Sequence, residues 1–306
     1  MSKKPIEIDL IDLIKILLKN KALIIFITCI FAVSSVIYAL SLDNIYKSEA
    51  LLEVSDSNVG GVGGMASQFS GLASLAGIGG IANVPKDKSA IAFEKLKSKN
   101  LAKDLYKYDW IVSGVFAIDY YDKTSQKIIY NDDIYNSTTN KWIRTVKPPF
   151  LSKPSYLELY KTLNEGIVSV AKDSKTGLIK LTVSHESPVF AKELVAQIIY
   201  EVNESARLSD LKDSTTSLDY LNKQLQVYAM DDIKNSINEL IKTNMEVKML
   251  SSINEYYSIK PIDGPHIPEF KISPVRSIIC ITITLIGFAL ALMVSVIREF
   301  FYKKEL

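Results

Sequence analysis

The chain has 306 residues, with 36 lysines and arginines against 34 aspartates and glutamates and a formal net charge of +2. So balanced a charge provides no basic excess for nucleic acid or any other polyelectrolyte partner. The two cysteines, Cys29 and Cys280, both lie in apolar runs near the chain ends, so the long polar middle holds no disulfide and must be stabilised by packing and assembly.

The start, Pro5 to Lys19, puts Ile6, Leu10, Leu13, Ile14, Leu17 and Leu18 on one helical stripe, with Asp9, Asp12, Lys15 and Lys19 largely opposite. It reads either as a helix lying on the inner membrane surface or as an inward extension of the next segment. Ala22 to Leu42 and Ser277 to Ile297 are uncharged apolar runs of about 21 residues each. That matches the ~20 residues that a helix rising ~1.5 Å per residue needs to cross a ~30 Å hydrocarbon layer. The chain is therefore expected to span a bilayer twice. Ala22 to Leu42 ends without a small-residue cleavage site and reads as a retained span rather than a signal peptide. Lys3, Lys4, Lys15, Lys19 and Lys21 precede the first span, and Arg298, Lys303 and Lys304 follow the second, which places both termini in the cytoplasm. Arg276 lies on the other side and is expected to reach the headgroups by snorkelling. Neither span holds an Asp, Glu, Lys, Arg or His, so no ion path is expected. Ser35 with Ala39, and Gly287 with Ala291, are small residues four apart that would let two helices approach closely.

After the first span, Tyr46 to Val54 alternates as a strand does. Residues 59–84 carry no charge but many glycines, from Gly60 to Gly80, each costing a helix ~1 kcal/mol relative to alanine. The segment reads as a loop of small residues rather than a third span, packed against a neighbouring subunit or disordered. Lys88 to Tyr106 reads as a helix. Lys107 to Ser155 is rich in tyrosine, asparagine and lysine with no sustained period; Trp110 and Trp142 in it read as core and turn fillers rather than a sugar-stacking surface.

Ile167, Val168 and Val170 precede Asp173 to Gly177, and Leu178 to Ser184 then turns Ile179, Leu181 and Val183 inward and Lys180 and Thr182 outward, a hairpin closed by glycine. Ser187 and Pro188 supply a helix cap and a first-turn proline. From Val189 to Lys260 there is neither glycine nor proline. Leu208, Leu211, Thr215, Leu218, Leu221 and Leu225 recur at spacings that include three and four, and Ile233, Ile237, Leu240, Ile241 and Met245 resume the pattern. A helix from Pro188 to Ala229 would run roughly 60 Å, too far for one compact core to cover. It is expected both to fold back near Asp231 and to pack between subunits, with Leu208, Leu211, Leu218, Leu221 and Leu225 as the oligomerisation seam. Tyr256 to Ile262 reads as a returning strand, and Pro261, Pro265, Pro268 and Pro274 as a stiff connector that couples the loop to the second span.

No catalytic constellation is evident. There is no Gly-x-x-x-x-Gly-Lys-Ser/Thr loop. His185 and His266 are the only histidines, with no cysteine near them to complete a metal set. Asp132-Asp133 and Asp231-Asp232 are adjacent pairs that point apart and read as solvated turns. Neither a catalytic residue, a metal site nor a cofactor is expected.

The layout, together with Thr176-Gly-Leu-Ile-Lys-Leu-Thr-Val-Ser-His-Glu-Ser-Pro188, Ala191, Asn203, Asp219-Tyr-Leu-Asn-Lys-Gln-Leu225, Met249-Leu250, Glu255-Tyr256 and Ile262-Asp-Gly-Pro-His-Ile-Pro-Glu-Phe-Lys-Ile-Ser-Pro-Val-Arg276, resembles the polysaccharide co-polymerases of the Wzz type. The likeness is dense from Ile167 onward and looser over Asp109 to Val146. Gly264 stands where that family commonly has proline. The resemblance implies an α+β membrane protein with two transmembrane helices flanking a periplasmic α/β base and a long protruding helical hairpin, assembled into a homo-oligomeric ring. It further implies a non-enzymatic regulator of O-antigen or related polysaccharide chain length in the bacterial inner membrane, with a Wzy-type polymerase, the growing polysaccharide and membrane lipid as partners. Some relatives carry a kinase after the second span; none is expected here.

The expected organisation is thus a cytoplasmic segment 1–21, spans 22–42 and 277–297, a base domain 43–187, a helical extension 188–257, a strand and connector 258–276, and a tail 298–306. Two rival readings are an inner-membrane adaptor of a capsule export complex, which shares the two-span layout, and a sensory receptor, for which the cytoplasmic ends are short.

Overall fold

The computed structural model describes residues 17–55, 88–227 and 230–302. Most of the amphipathic start and the glycine-rich segment 59–84 lie outside them. The chain forms two compact units, residues 46–269 and residues 1–45 with 270–306.

The first described elements are the apolar helix α1 (Lys21–Ser41) and the strand β1 (Ile45–Val54). In the unit 46–269, β1 is interior: Tyr46, Ser48, Ala50 and Leu52 are buried alternately, as a half-covered strand requires. The expected single helix Lys88 to Tyr106 is instead two, α2 (Lys88–Leu96) and α3 (Lys99–Leu105). The break falls at Ser98, which is extended and whose Oγ accepts from the Leu101 amide at 3.1 Å, so a cap signal overrides the continuous pattern.

The tyrosine-rich middle folds as α4 (Asp109–Phe116), the hairpin β2 (Ile118–Asp122) and β3 (Lys127–Tyr130), and the small pair β4 (Tyr135–Asn136) and β5 (Lys141–Trp142). Asp122 closes the first turn, accepting from the Thr124 and Ser125 amides and from Ser125 Oγ. Trp110 meets Phe190 edge-on and Trp142 tilts against Tyr135, both at 5.5 Å or less between centroids. The helix α5 (Tyr156–Thr162) opens with a capping box of Ser155 and Glu158, and Glu158 also receives Arg144 at 2.7 Å.

A π-helical turn, Leu163–Ile167, leads into β6 (Val168–Lys172), which pairs with β7 (Ile179–His185). Asp173 caps the turn between them, and Gly177 takes a φ of +74° that favours glycine. Thr182, expected to face solvent, is buried. It lies on an interior strand with Glu49 and Ser169 across from it, while the outward face around it carries the Lys180–Glu49 and Lys47–Glu49 ion pairs.

Then comes α6 (Pro188–Val227), 40 residues long, and α7 (Asp231–Ile253), followed by β8 (Ile259–Asp263). The return strand starts later than Tyr256, because Asn254 to Ser258 bend to bring Tyr257 into the core, where its hydroxyl meets Asp210 at 2.6 Å. The strand order in this unit is β6-β7-β1-β8, all antiparallel. Pro261 sits on the outer strand β8, opposite Leu52, the edge position where a missing amide is tolerated.

The first turns of α6 form one core with the sheet and with α3 to α5. Phe190, Leu194, Ile198 and Val202 are buried together with Leu105, Ile111, Leu159, Leu181 and Leu52. Phe190 packs over Gly114 so closely that a Cβ there would overlap the ring. His185, 7% exposed, stacks on Phe190 at 4.1 Å, donates from Nε2 to the Gly114 carbonyl at 3.0 Å and accepts the Ser187 amide on Nδ1 at 3.1 Å. Burial holds its pKa down to about 4.

The second unit pairs α1 with α8 (Arg276–Tyr302), preceded by the short strand β9 (Lys271–Ser273). The two helices are antiparallel: Arg276 meets Ala39, Cys280 meets Ser35, and Gly287 meets Phe31. Lys21–Ser41 and Arg276–Arg298 are each long and apolar enough to cross a membrane.

Two outcomes are expected for the core around Phe190. Gly114→Ala should destabilise the full chain by about 1–3 kcal/mol through overpacking, read as a lowered denaturation midpoint. His185 stays neutral in the fold while the unfolded side chain protonates near 6.5, so stability should be full above that pH and fall as pH drops towards 4, by on the order of 3 kcal/mol. Thermal melts across that window should show the slope for the wild type and lose it in His185→Gln.

Candidate functional site

The distinctive parts of the described residues are the helical hairpin and the close-packed apolar pair. Among the described residues no group of three or more His, Cys, Asp and Glu could hold a metal ion. His185 is committed to backbone partners, and Asp132, Asp133, Asp231 and Asp232 are exposed.

The hairpin arises from a division of labour along α6. At ~1.5 Å per residue α6 is roughly 60 Å long and α7, with 23 residues, roughly 35 Å, so α7 covers only the far part of α6. Up to Val202 the buried apolar side chains of α6 belong to the sheet core; further along, Ser214, Leu218 and Leu221 are buried on the stretch that packs against Ile237, Asn244, Val247 and Ser251 of α7. Arg207 reaches the Ser251 carbonyl at 3.5 Å, so the helices run antiparallel from the turn at Met230. Of the five seam leucines, Leu218 and Leu221 are buried in this intramolecular contact, Leu211 and Leu225 are half-buried, and Leu208 is 49% exposed. The small residues Ser214 and Ser251, which bring the helices close, carry no signal in a hydrophobic count. A second face of α7, Met245, Met249 and Ile253 at four-residue spacing, stays exposed.

Polar anchors fix the hairpin to the sheet unit. Asn203, buried, accepts the Ser258 and Ile259 amides on Oδ1 at 2.7 and 2.9 Å and donates to the Ile199 and Ile259 carbonyls. Glu201, also buried, accepts from the Tyr108 hydroxyl at 2.6 Å and from Gln197 at 3.0 Å; this carboxylate holds the Tyr108 pKa up at about 12. A cleft of about 490 Å3 beside it is lined by Ile91, Glu94, Leu101, Asp104 and Ser205, among others.

The four connector prolines divide between the two units. Pro261 lies in β8, Pro265 and Pro268 lie in the irregular stretch after it, and Pro274 precedes α8 by two residues. Ser48 Oγ donates to the His266 carbonyl at 2.8 Å and so fastens that stretch to β1.

In the helix pair, Ser35, Ala39, Gly287 and Ala291 are all buried, and a Cβ on Gly287 would overlap Phe31. Close approach of this kind is what small residues allow where lipid gives no hydrophobic drive for association. Arg276 donates from Nε to the Ala39 carbonyl at 3.0 Å, satisfying one of the unpaired carbonyls at the end of α1.

These features are a mixed α/β unit with a long helical hairpin and two apolar helices that suit a two-pass membrane protein. The family model for "Wzz: Chain length determinant protein" matches residues 6–107, one third of the chain. That stretch covers α1, β1, α2 and α3 and stops before the hairpin. Among solved structures, a full-length bacterial polysaccharide co-polymerase aligns with a TM-score of 0.44 and 11% identity, over 96% of this chain and 99% of that one. No curated protein matches.

Truncating the hairpin seam tests this account of the contact. Leu221→Ala should cost about 2–5 kcal/mol and raise amide exchange in α7 well above that in β7, measured by hydrogen exchange on the full chain.

Proposed function

We propose that this chain is a non-enzymatic regulator of surface polysaccharide length, acting as an oligomeric scaffold beside a Wzy-type polymerase and the growing glycan. The observation that carries the reading is the match of the chain-length determinant model to residues 6–107. In this reading α1 and α8 cross a bacterial inner membrane, both termini are cytoplasmic, and residues 46–269 form the periplasmic part. The lysines before Ala22 and the basic residues from Arg298 onward support that orientation. The domain limits are those set by the sequence, with the connector joining the periplasmic part to the second span.

Supporting the scaffold role, the hairpin leaves apolar surface that no described residue covers. Leu208 on α6 and Met245, Met249 and Ile253 on α7 are between 49% and 68% exposed. Unpaired apolar faces on rigid helices suit contacts between copies of the chain. A ring of such hairpins presents a fixed periodic surface, which is what a mechanical part of a polymerising assembly needs and what turnover chemistry does not.

The experiment is the glycan ladder of a strain lacking the gene, complemented with this chain or its variants. Restoration of a defined modal length supports the proposal; an unchanged ladder with glycan retained inside the cell contradicts it and favours an export adaptor. Met249→Glu should leave hairpin stability within about 0.5 kcal/mol, as expected of a surface position. It should nonetheless shorten cross-linking ladders and shift the modal band.

A further inference from the structure

The end of the helix pair nearest Asn44 gathers positive charge that no carboxylate among the described residues answers. Lys271 Nζ donates to Asn44 Oδ1 at 2.9 Å, and Arg276 Nη2 approaches the same oxygen at 3.4 Å while its Nε holds the Ala39 carbonyl. Two full positive charges therefore converge on one neutral acceptor. Among the described residues neither has a carboxylate partner, and Asp43 beside them is exposed and makes no ion pair with either. An ammonium has three donors and a guanidinium five, so five N–H groups remain after these three bonds. Such a fork of spare donors fits an anion with several oxygens, and phosphate suits it in geometry and charge.

The surroundings are apolar and exposed. Phe270 is 83% exposed, and Ile272 and Val275 are about half exposed, alternating with Lys271 and Arg276 along the chain. Leu40 and Ile278, at the adjoining ends of α1 and α8, are 62% and 60% exposed. Cations interleaved with exposed apolar side chains at the end of two spans match the boundary between headgroups and acyl chains. Charge complementarity and this apolar rim select the lipid over a soluble anion.

We propose that Lys271 and Arg276, gathered by Asn44, bind the phosphate of an anionic lipid headgroup in the leaflet at that end of the spans, with Phe270, Ile272 and Val275 embedded beside it. The proposal rests on reading α1 and α8 as membrane spans. It gives the second span a lipid anchor at the point where the connector enters it.

The test uses the full chain in nanodiscs of phosphatidylcholine doped with phosphatidylglycerol, transferred to mild detergent, with retained lipid measured by native mass spectrometry. Wild type should retain phosphatidylglycerol over phosphatidylcholine. K271Q, which disturbs no helix contact, should weaken that retention about fivefold, and K271Q/R276Q roughly thirtyfold, while K260Q, whose lysine pairs with Glu53, should leave it unchanged. Equal retention by wild type and K271Q would overturn the site. Displacement of the lipid by millimolar inorganic phosphate would also overturn it, because the fork would then serve a soluble anion. A chain that does not float with liposomes overturns the reading of α1 and α8 as spans, and the site with it.

Discussion

Asn203 sits buried in the middle of α6 with every polar atom of its side chain engaged. Its carbonyl oxygen takes two amides of the returning chain, and its amide group gives one bond to its own helix and one to the Ile259 carbonyl. Chain leaving a 23-residue helix must be brought back to a sheet edge through a bend, and the backbone groups exposed by that bend are buried. Each would cost about 1–3 kcal/mol if left unpaired, so the carboxamide fixes where the strand β8 begins. The Ser55 amide, bonded to the Ser258 carbonyl, continues the pairing onto β1. The sheet order, the edge position of Pro261 and the base of the hairpin all follow from this clasp.

A long helix with two employers explains why α6 has no single amphipathic face. Its first half is buried on the sheet side by large apolar residues, and its second half by Leu218 and Leu221 against α7. Between them Arg207 pairs with Glu204 and reaches the Ser251 carbonyl, and Tyr257 meets Asp210, so the changeover is lined with satisfied polar contacts rather than left as a gap. The helix pair works on the opposite rule. Contact depends on Ser35, Ala39, Gly287 and Ala291 allowing backbones together, as small residues do between helices in lipid, and on Arg276 closing the end of α1.

Much of this was legible in the residues. The two long apolar helices, the first strand, the glycine-closed hairpin and the capped start of α6 rest on strong local signals: uncharged length, alternation, an Asp-to-Gly turn, and Ser187 before Pro188. The break at Ser98 was hidden because a single hydroxyl cap interrupts a pattern that is otherwise helical. The region around α4 and β2 to β5 was opaque because its order comes from side-chain turns at Asp122, Asn131 and Asn136 and from Arg144 bonding distant carbonyls, none of which has a period. The split of the leucine seam was also hidden. Spacing alone marks Leu208 and Leu221 alike, whereas the helix α7 covers one and leaves the other half exposed.

The most direct measurement is hydrogen exchange by mass spectrometry on the full chain carrying Asn203→Leu, which keeps the volume and deletes the clasp. The account predicts that the Ser258 and Ile259 amides exchange at least about tenfold faster while β6 and β7 keep their protection. Unchanged protection at those two amides would contradict it, and the return of the hairpin to the sheet would then have to be set by the Tyr257 and β8 contacts alone.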